Sequence, residues 1–375
     1  MALFDDASLV VTPNGYKAGT LYSIKPTSGA GDMTVVRATT ATRVNSAGLI
    51  ESVANNVPRL DYSNGTCPSI LIEPQRTNVV LYSQQFDDAS WLKLGTALTV
   101  TANTTISPDG TQNADTLNVS NNDNVLYSFA TGTFAGNSFT FTIYAKGTGT
   151  FGMNIRLNLS TTTTQTKTLT SQWQRFEVTV TNASPVTTIE FYLNLNTSST
   201  YNIWGAQTEA GSYPTSYIPT TSAAVTRNAD AIYKTGISAL IGQTEGVVFF
   251  DAINLFTSGT RTLALLYTSG SAFYQIYLNS SNQVRVDVNG SFIFAGGTIT
   301  SNTQFKIAFA YKSGDNALYI NGTQIATSAS TTIPSSLNDY YLGNSIGSEQ
   351  SGSYGQATLF PTRLTNAELS QLTTI

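Results

Sequence analysis

The chain of 375 residues contains no histidine and a single cysteine, Cys67. Without histidine there can be no Ser-His-Asp or Cys-His catalysis, and the commonest zinc ligand is missing as well. One cysteine cannot form an intrachain disulfide or a cysteine-based metal centre. Its place in Cys67-Pro68, just before the apolar Ile70-Leu71-Ile72, predicts a buried thiol at the start of a strand. Charge is also scarce: 11% of residues are Asp, Glu, Lys or Arg, well below the usual quarter. The 18 Lys and Arg against 22 Asp and Glu give a net charge of −4, and the basic residues are scattered, so a surface that tracks phosphates is not expected and nucleic acid is not an expected partner. No run of about 20 apolar residues exists to span a membrane. The start Met1-Ala2-Leu3-Phe4-Asp5-Asp6 has neither a basic nor an apolar leader region, so the expectation is synthesis in the cytoplasm without a signal peptide. The Asn-x-Ser/Thr triplets at Asn64, Asn118, Asn279 and Asn321 then read as chance in an Asn- and Thr-rich chain.

The sequence is rich instead in Thr, Ser, Asn and Gly, with 41% apolar and 11% aromatic residues. That is enough apolar material for a core in each of two or three domains. Alternation of period two is strong from about residue 86. Phe139, Phe141 and Ile143 alternate with Thr140, Thr142 and Tyr144, and Phe151, Met153, Ile155, Leu157 and Leu159 alternate with Gly152, Asn154, Arg156 and Asn158. Phe176, Val178 and Val180, then Ile189, Phe191, Leu193 and Leu195, follow the same rule. Each run predicts a half-buried strand, and together they predict a jelly-roll-like sandwich over 86–230. Strands are expected again at 244–252, 263–267, 273–278, 284–288, 305–311 and 317–320, with Asn289-Gly290 and Asn321-Gly322 supplying the positive φ of tight hairpins. These make a second sandwich over 231–375. Thr365-Asn366-Ala367-Glu368 is a capping box flanked by Leu364 and Leu369, so one short helix should begin at Asn366. Residues 1–85 have many turn formers and little periodicity, and should lie on the rest of the protein or on other molecules. The fold class is therefore all-β, two tandem sandwiches behind an irregular N-terminal segment. The run from Trp204 reads as the end of a buried strand leading into an extended stretch fixed by Pro214 and Pro219, a seam between domains.

The surviving catalytic option is a pair of carboxylates cutting a glycosidic bond. Asp5-Asp6 and Asp87-Asp88 are adjacent, and neighbours on an extended chain point to opposite faces. Glu51, Glu73, Glu190 and Glu245 stand alone and are expected to pair with Arg43, Arg59 or Arg76. No catalytic residue, cofactor or metal site is predicted, and the Gly-rich stretches 147–152 and 343–355 fit no phosphate-binding fingerprint. Binding remains. With 19 Tyr, the chain is rich in a side chain that offers an apolar face to a sugar ring while keeping a hydroxyl wet. Tyr340, Asn344 and Tyr354 are the candidate glycan-binding residues, expected in loops at one rim of the second sandwich. Trp91, Trp173 and Trp204 are expected in the core.

Two blocks carry a family resemblance. One comprises Arg37 to Asn45, Gly48-Leu49-Ile50-Glu51, Val57 to Tyr62 and Leu71 to Asn78; the other runs from Trp204 to Thr220, followed by Thr226-Arg227-Asn228-Ala229-Asp230. They are similar to phage virion proteins in which a carbohydrate-binding-module-like sandwich precedes a laminin-G or concanavalin-A-like one. The closing pattern Ala317 to Gly322, Tyr341-Leu342-Gly343, Ala357 to Phe360 and Leu364 to Leu369 resembles the second half of such a concanavalin-A-like domain. Concanavalin-A-like glucanases carry Glu-x-Asp-x-x-Glu on one strand, a triplet missing from this chain. The resemblance implies a protein of the virion surface: a head fibre, vertex spike or tail fibre that contacts host surface glycans. It implies attachment to other virion proteins through residues 1–85, and assembly as a homotrimer. A purely structural capsid or tail decoration protein is the alternative, and a polysaccharide depolymerase a third reading.

Overall fold

A computed structural model describes residues 3–95, 97–120, 124–182, 185–253, 259–268, 272–343, 349–350 and 352–375. Among the described residues the regular elements are almost all strands, with two short 3-10 turns and one α-helix near the C-terminus. They form two compact units. One comprises Met1–Gly48, Ser52–Pro74 and Asn228–Ile375, and the other Leu49–Glu51 and Gln75–Arg227.

The first unit is a sandwich built around the C-terminal third of the chain. In one sheet Glu245–Ile253 lies between Gln304–Lys312 and Gly352–Phe360, and Asn316–Ile320 and Thr323–Ser328 extend it. The other sheet runs Ser291–Thr298, Gln283–Val288, Phe273–Leu278, Arg261–Tyr267, Asp339–Leu342, Ala231–Lys234 and Met33–Val36. Alternation along these strands sends Val284, Val286, Ile276, Leu266, Leu342, Phe250, Ile307 and Phe309 into one shared core. On the far side of the first sheet the helix Asn366–Thr373 buries Leu369 and Leu372 against Phe249, Ala308 and Tyr319. The capping box is formed: Thr365 accepts from Glu368 N–H and Glu368 from Thr365 N–H. The expected hairpin turns are present too, with φ of 50° and 76° at Asn289 and Gly290, and 49° and 80° at Asn321 and Gly322.

Residues 1–74 are not a separate segment. Leu9, Val10 and Val11 pair with Leu359, Thr358 and Ala357, and Ser69–Ile72 pairs with the other end of the same strand. The expected division 1–85, 86–230 and 231–375 thus differs from the contacts, which group most of the N-terminal stretch with the last third. The reason is that Gly352–Phe360 would otherwise present an open edge, and short apolar pieces with no periodicity of their own suffice to pair it. Cys67 departs from expectation as well: it is exposed, in the turn before Ser69 rather than inside the strand. A buried ion cluster ties these segments together. Arg37 Nη1 donates to Asp230 Oδ1 at 2.8 Å, Arg59 Nη1 to Glu73 Oε2 at 2.7 Å, and Arg59 also pairs with Asp230. Burial works against the charge on Arg59, but Asp230 and Glu73 outweigh it and hold the guanidinium above its usual range. Glu73 meets Arg59 as expected, whereas Glu190 pairs with Arg156 and Glu245 with Lys312.

The second unit is a sandwich of two five-stranded antiparallel sheets. Its core takes Trp91, Phe139, Phe141, Ile143, Met153, Ile155, Ile189, Phe191 and Leu193 from facing strands. The 139–144 strand is buried on both faces, because Thr140 and Thr142 are covered too. Their cover is the proline-pinned segment after Ala210. Thr140 donates to Gly211 C=O at 2.9 Å, and Arg175 bridges Thr142 Oγ1 and Thr215 C=O at 3.0 and 2.7 Å. Gln207 Oε1 accepts from Ile218 N–H at 2.7 Å, buried Glu209 holds Thr215, and Tyr217 packs on Trp204 at 4.7 Å. The run expected as a seam is therefore folded back over its own sheet, inside one unit.

Candidate functional site

Of the three candidate glycan residues, two are core residues and one lies outside the described residues. Tyr340 is fully buried and faces inward beside Leu266 and Leu342. Tyr354 is fully buried as well: its ring meets Phe250 at 6.2 Å and its hydroxyl donates to Leu263 C=O at 3.1 Å. Both sit within strands rather than in rim loops, and burial pushes both hydroxyls above their ordinary range. Asn344 is outside the described residues. Trp91 and Trp204 are buried as expected, while Trp173 is half-buried, with the Lys146 ammonium 4.9 Å from its ring.

One position from Tyr340, Tyr341 reaches the opposite face of the same sheet, where Tyr233 and Tyr267 lie beside it. Antiparallel register places Thr34, Tyr233, Tyr341, Leu265, Gln275, Asp287 and Phe292 in one row across neighbouring strands. The rings of Tyr233 and Tyr341 lie nearly parallel, with centroids 5.4 Å apart and planes 21° off, and Tyr267 meets Tyr341 edge-on at 6.4 Å. All three are half-buried. Cross-strand aromatic pairs of this kind hold one another in place, so the surface is preformed.

Polar groups continue the row. Gln275 donates to Thr262 Oγ1 at 2.7 Å, and Tyr277 donates to Asp287 Oδ1 at 3.3 Å. The Arg285 guanidinium lies 4.9 Å from the centre of the Phe292 ring, which is half exposed. Burial raises the Asp287 carboxyl above the usual carboxylate range, against the hydrogen bond from Tyr277 and the charge of Arg285. Burial also raises the Tyr341 hydroxyl, helped by Asp339 and by Tyr233 and Tyr267. The result is aromatic ring surface beside a neutral amide, a carboxyl and a guanidinium, on strands whose other face is locked into the core. Such a surface can pack against the apolar face of a ring and exchange hydrogen bonds with hydroxyls around it. Among the described residues no group of three or more Asp, Glu or Cys gathers closely enough to hold a metal ion.

Most of these residues fall in a stretch with known relatives. Residues 253–370 match the concanavalin A-like lectin/glucanases superfamily. The matched stretch supplies Tyr267, Gln275, Asp287 and Tyr341, while Tyr233 and Thr34 come from outside it. Among solved structures the chain is similar to the CBM40 module of a Ruminococcus gnavus IT-sialidase bound to alpha2,3 sialyllactose. Identity there is 14%, over 38% of this chain and 91% of that one, with a TM-score of 0.34. It is also similar to a leech intramolecular trans-sialidase, at 14% identity over 36% of this chain and 24% of that one and a TM-score of 0.32. A third is the heptameric SAP-like pentraxin of Limulus polyphemus, at 15% identity over 34% of this chain and 69% of that one and a TM-score of 0.28. No curated protein matches the chain.

Proposed function

We propose that this chain is a non-enzymatic carbohydrate-binding protein, and that Tyr233, Tyr341 and Tyr267 form the platform on which a sugar packs. The observation that carries the reading is the stacked Tyr233 and Tyr341 pair on the outer face of the lectin-type sheet. Tyrosine combines large apolar area with low conformational entropy and a wet hydroxyl, which suits the apolar face of a pyranose. Gln275, Asp287 and Arg285 would select among hydroxyl arrangements.

The resemblance in residues 37–230 supports a finer reading, in which the protein sits on a phage virion surface as a head fibre, spike or tail fibre and touches host glycans. Individual contacts of this size are weak, so a homotrimer, or many copies on one particle, would supply avidity. Virion attachment through the N-terminal strands belongs to the same reading. The experiment is to apply the labelled protein to an array of immobilised glycans, alongside a Tyr233→Ala/Tyr341→Ala variant with unchanged thermal unfolding. The reading expects a defined set of glycans bound by the parent and lost or strongly reduced in the variant. A parent that binds no glycan would favour the purely structural role of a decoration protein.

A further inference from the structure

The second unit carries a surface that the lectin-type platform does not use. On the outer face of the sheet containing Thr150–Leu157, Val186–Leu195 and Asn124–Phe134, antiparallel register aligns three rows. Thr166, Gly152, Asn194, Val125 and Leu94 form the first. Thr164, Asn154, Tyr192, Tyr127 and Leu92 form the second, and Thr162, Arg156, Glu190 and Phe129 the third. Four residues of the first row, Thr166, Gly152, Asn194 and Val125, line a shallow cleft of about 600 Å³ together with Thr150 and Asn196.

Four features of this face point to one kind of ligand. Gly152 sits inside a strand without the positive φ that would call for glycine, and a Cβ there would stand 3.1 Å from the Asn194 Cβ. Glycine in a strand interior weakens the strand, and it marks places where something else approaches the backbone. Tyr192 and Tyr127 lie directly opposite each other on neighbouring strands and are half-buried, with exposed Phe129 in the next row. Arg156 and Glu190 are paired across the sheet, so the face offers a donor fork and an acceptor but no net charge. Asn154 is almost fully buried, held by Thr164 and by Tyr192 C=O, which fixes the centre of the middle row.

We propose that this face is a second ligand site and that its occupant is an extended, neutral, polyhydroxylated chain, that is, a neutral polysaccharide. The first two rows cross five strands and the third four, so the face is long rather than cup-shaped, with roughly 4.8 Å between neighbouring strands. Aromatic surface at Tyr127 and Tyr192 takes sugar faces, the hollow over Gly152 gives the chain depth, and Arg156 with Glu190 donates to and accepts from hydroxyls. An acidic polymer would have to displace Glu190 from Arg156, and a basic one would have to displace Arg156 from Glu190. The site does not depend on the platform of the first unit.

The test is electrophoresis of the full chain through gels containing neutral polymers (dextran, glucomannan, xyloglucan) or the acidic polymers alginate and hyaluronan, using Tyr233→Ala/Tyr341→Ala as the parent to silence the other platform. At least one neutral polymer should retard this parent. Adding Tyr127→Ala/Tyr192→Ala should weaken that retardation about tenfold or more. Gly152→Ser puts a side chain into the hollow and should give the same loss; because its Cβ would stand 3.1 Å from the Asn194 Cβ, its thermal unfolding is measured alongside and binding is compared in folded protein. Retardation by no neutral polymer, by acidic polymers only, or retardation that survives both substitutions in folded protein would overturn the proposal. Glycan binding lost with Tyr233 and Tyr341 but not with Tyr127 and Tyr192 would overturn it too, leaving the first platform standing.

Discussion

A single step in register separates Tyr340, expected at the surface, from Tyr341, found there. Tyr340 and Tyr341 are neighbours on one strand, and alternation sends Tyr340 to the core beside Leu342 and Tyr341 outward beside Tyr233. The sequence reveals that one of the two must face out; with both residues tyrosine, no local pattern reveals which. Tyr354 departs from expectation for a different reason: its Gly-rich surroundings suggest a loop, but the chain there is a strand. The buried charges are equally hard to foresee, because Arg37, Arg59, Glu73 and Asp230 are far apart in sequence and become one cluster only in the fold. Asp230→Ala would leave two guanidiniums without that carboxylate and should destabilise the protein by roughly 3–5 kcal/mol, read by denaturant unfolding. Glu209 provides a test by pH. Burial raises its carboxyl, against the pull of Arg227 and Thr215, so its folded pKa exceeds its unfolded one. Its contribution to stability is fully present below the unfolded value and is lost as pH rises through the folded value. Glu209→Gln should therefore flatten the fall in stability that the parent shows as pH rises above the ordinary carboxylate range. Parallel curves for the two proteins would show that Glu209 does not titrate as its burial demands.

Elements were the most legible level. The helix starts at Asn366 because Thr365 and Glu368 cap it reciprocally, and the hairpins at Asn289-Gly290 and Asn321-Gly322 turn where residues tolerant of positive φ sit. Thr365→Ala should cost about 1 kcal/mol, measured as a shift in the unfolding midpoint, with the sandwich otherwise intact. Gly242 has a different role: without positive φ, it still admits no side chain, since a Cβ would stand 1.8 Å from Glu245 C=O and 2.4 Å from Pro361 C=O. Gly242→Ala should therefore reduce stability by more than the cap substitution does. The double burial of Thr140 and Thr142 could not be read from alternation, because a polar Thr reads as solvent-facing unless its cover is known. That cover is the segment Gly211 to Thr215, whose carbonyls satisfy the Thr140 hydroxyl and Arg175.

At the scale of the whole chain, all-β architecture and two sandwiches follow from periodicity, but the grouping of segments does not. Ser8 donates to the carbonyl of Leu359, a residue 351 positions away, and Leu9 to Val11 close the edge of the last long strand. Periodicity reports which face of a segment is apolar and is silent about its partner. It follows that residues 228–375 expressed alone should fail to give a soluble, cooperatively unfolding protein, as judged by circular dichroism and gel filtration. Co-expression with residues 1–74 should improve recovery. A stable isolated C-terminal fragment would mean that the N-terminal strands add little to the sandwich.

The central claim is that the lectin-type sheet binds sugar through Tyr233, Tyr341 and Tyr267. Its most direct test is calorimetric titration of an oligosaccharide selected from the array into the parent and into Tyr233→Ala/Tyr341→Ala, with Tyr127 and Tyr192 intact and both proteins shown to unfold at the same temperature. Removing two aromatic contacts should cost about 1–3 kcal/mol, so the account predicts an affinity about 5- to 150-fold weaker in the variant. Equal affinity in the two folded proteins would contradict it.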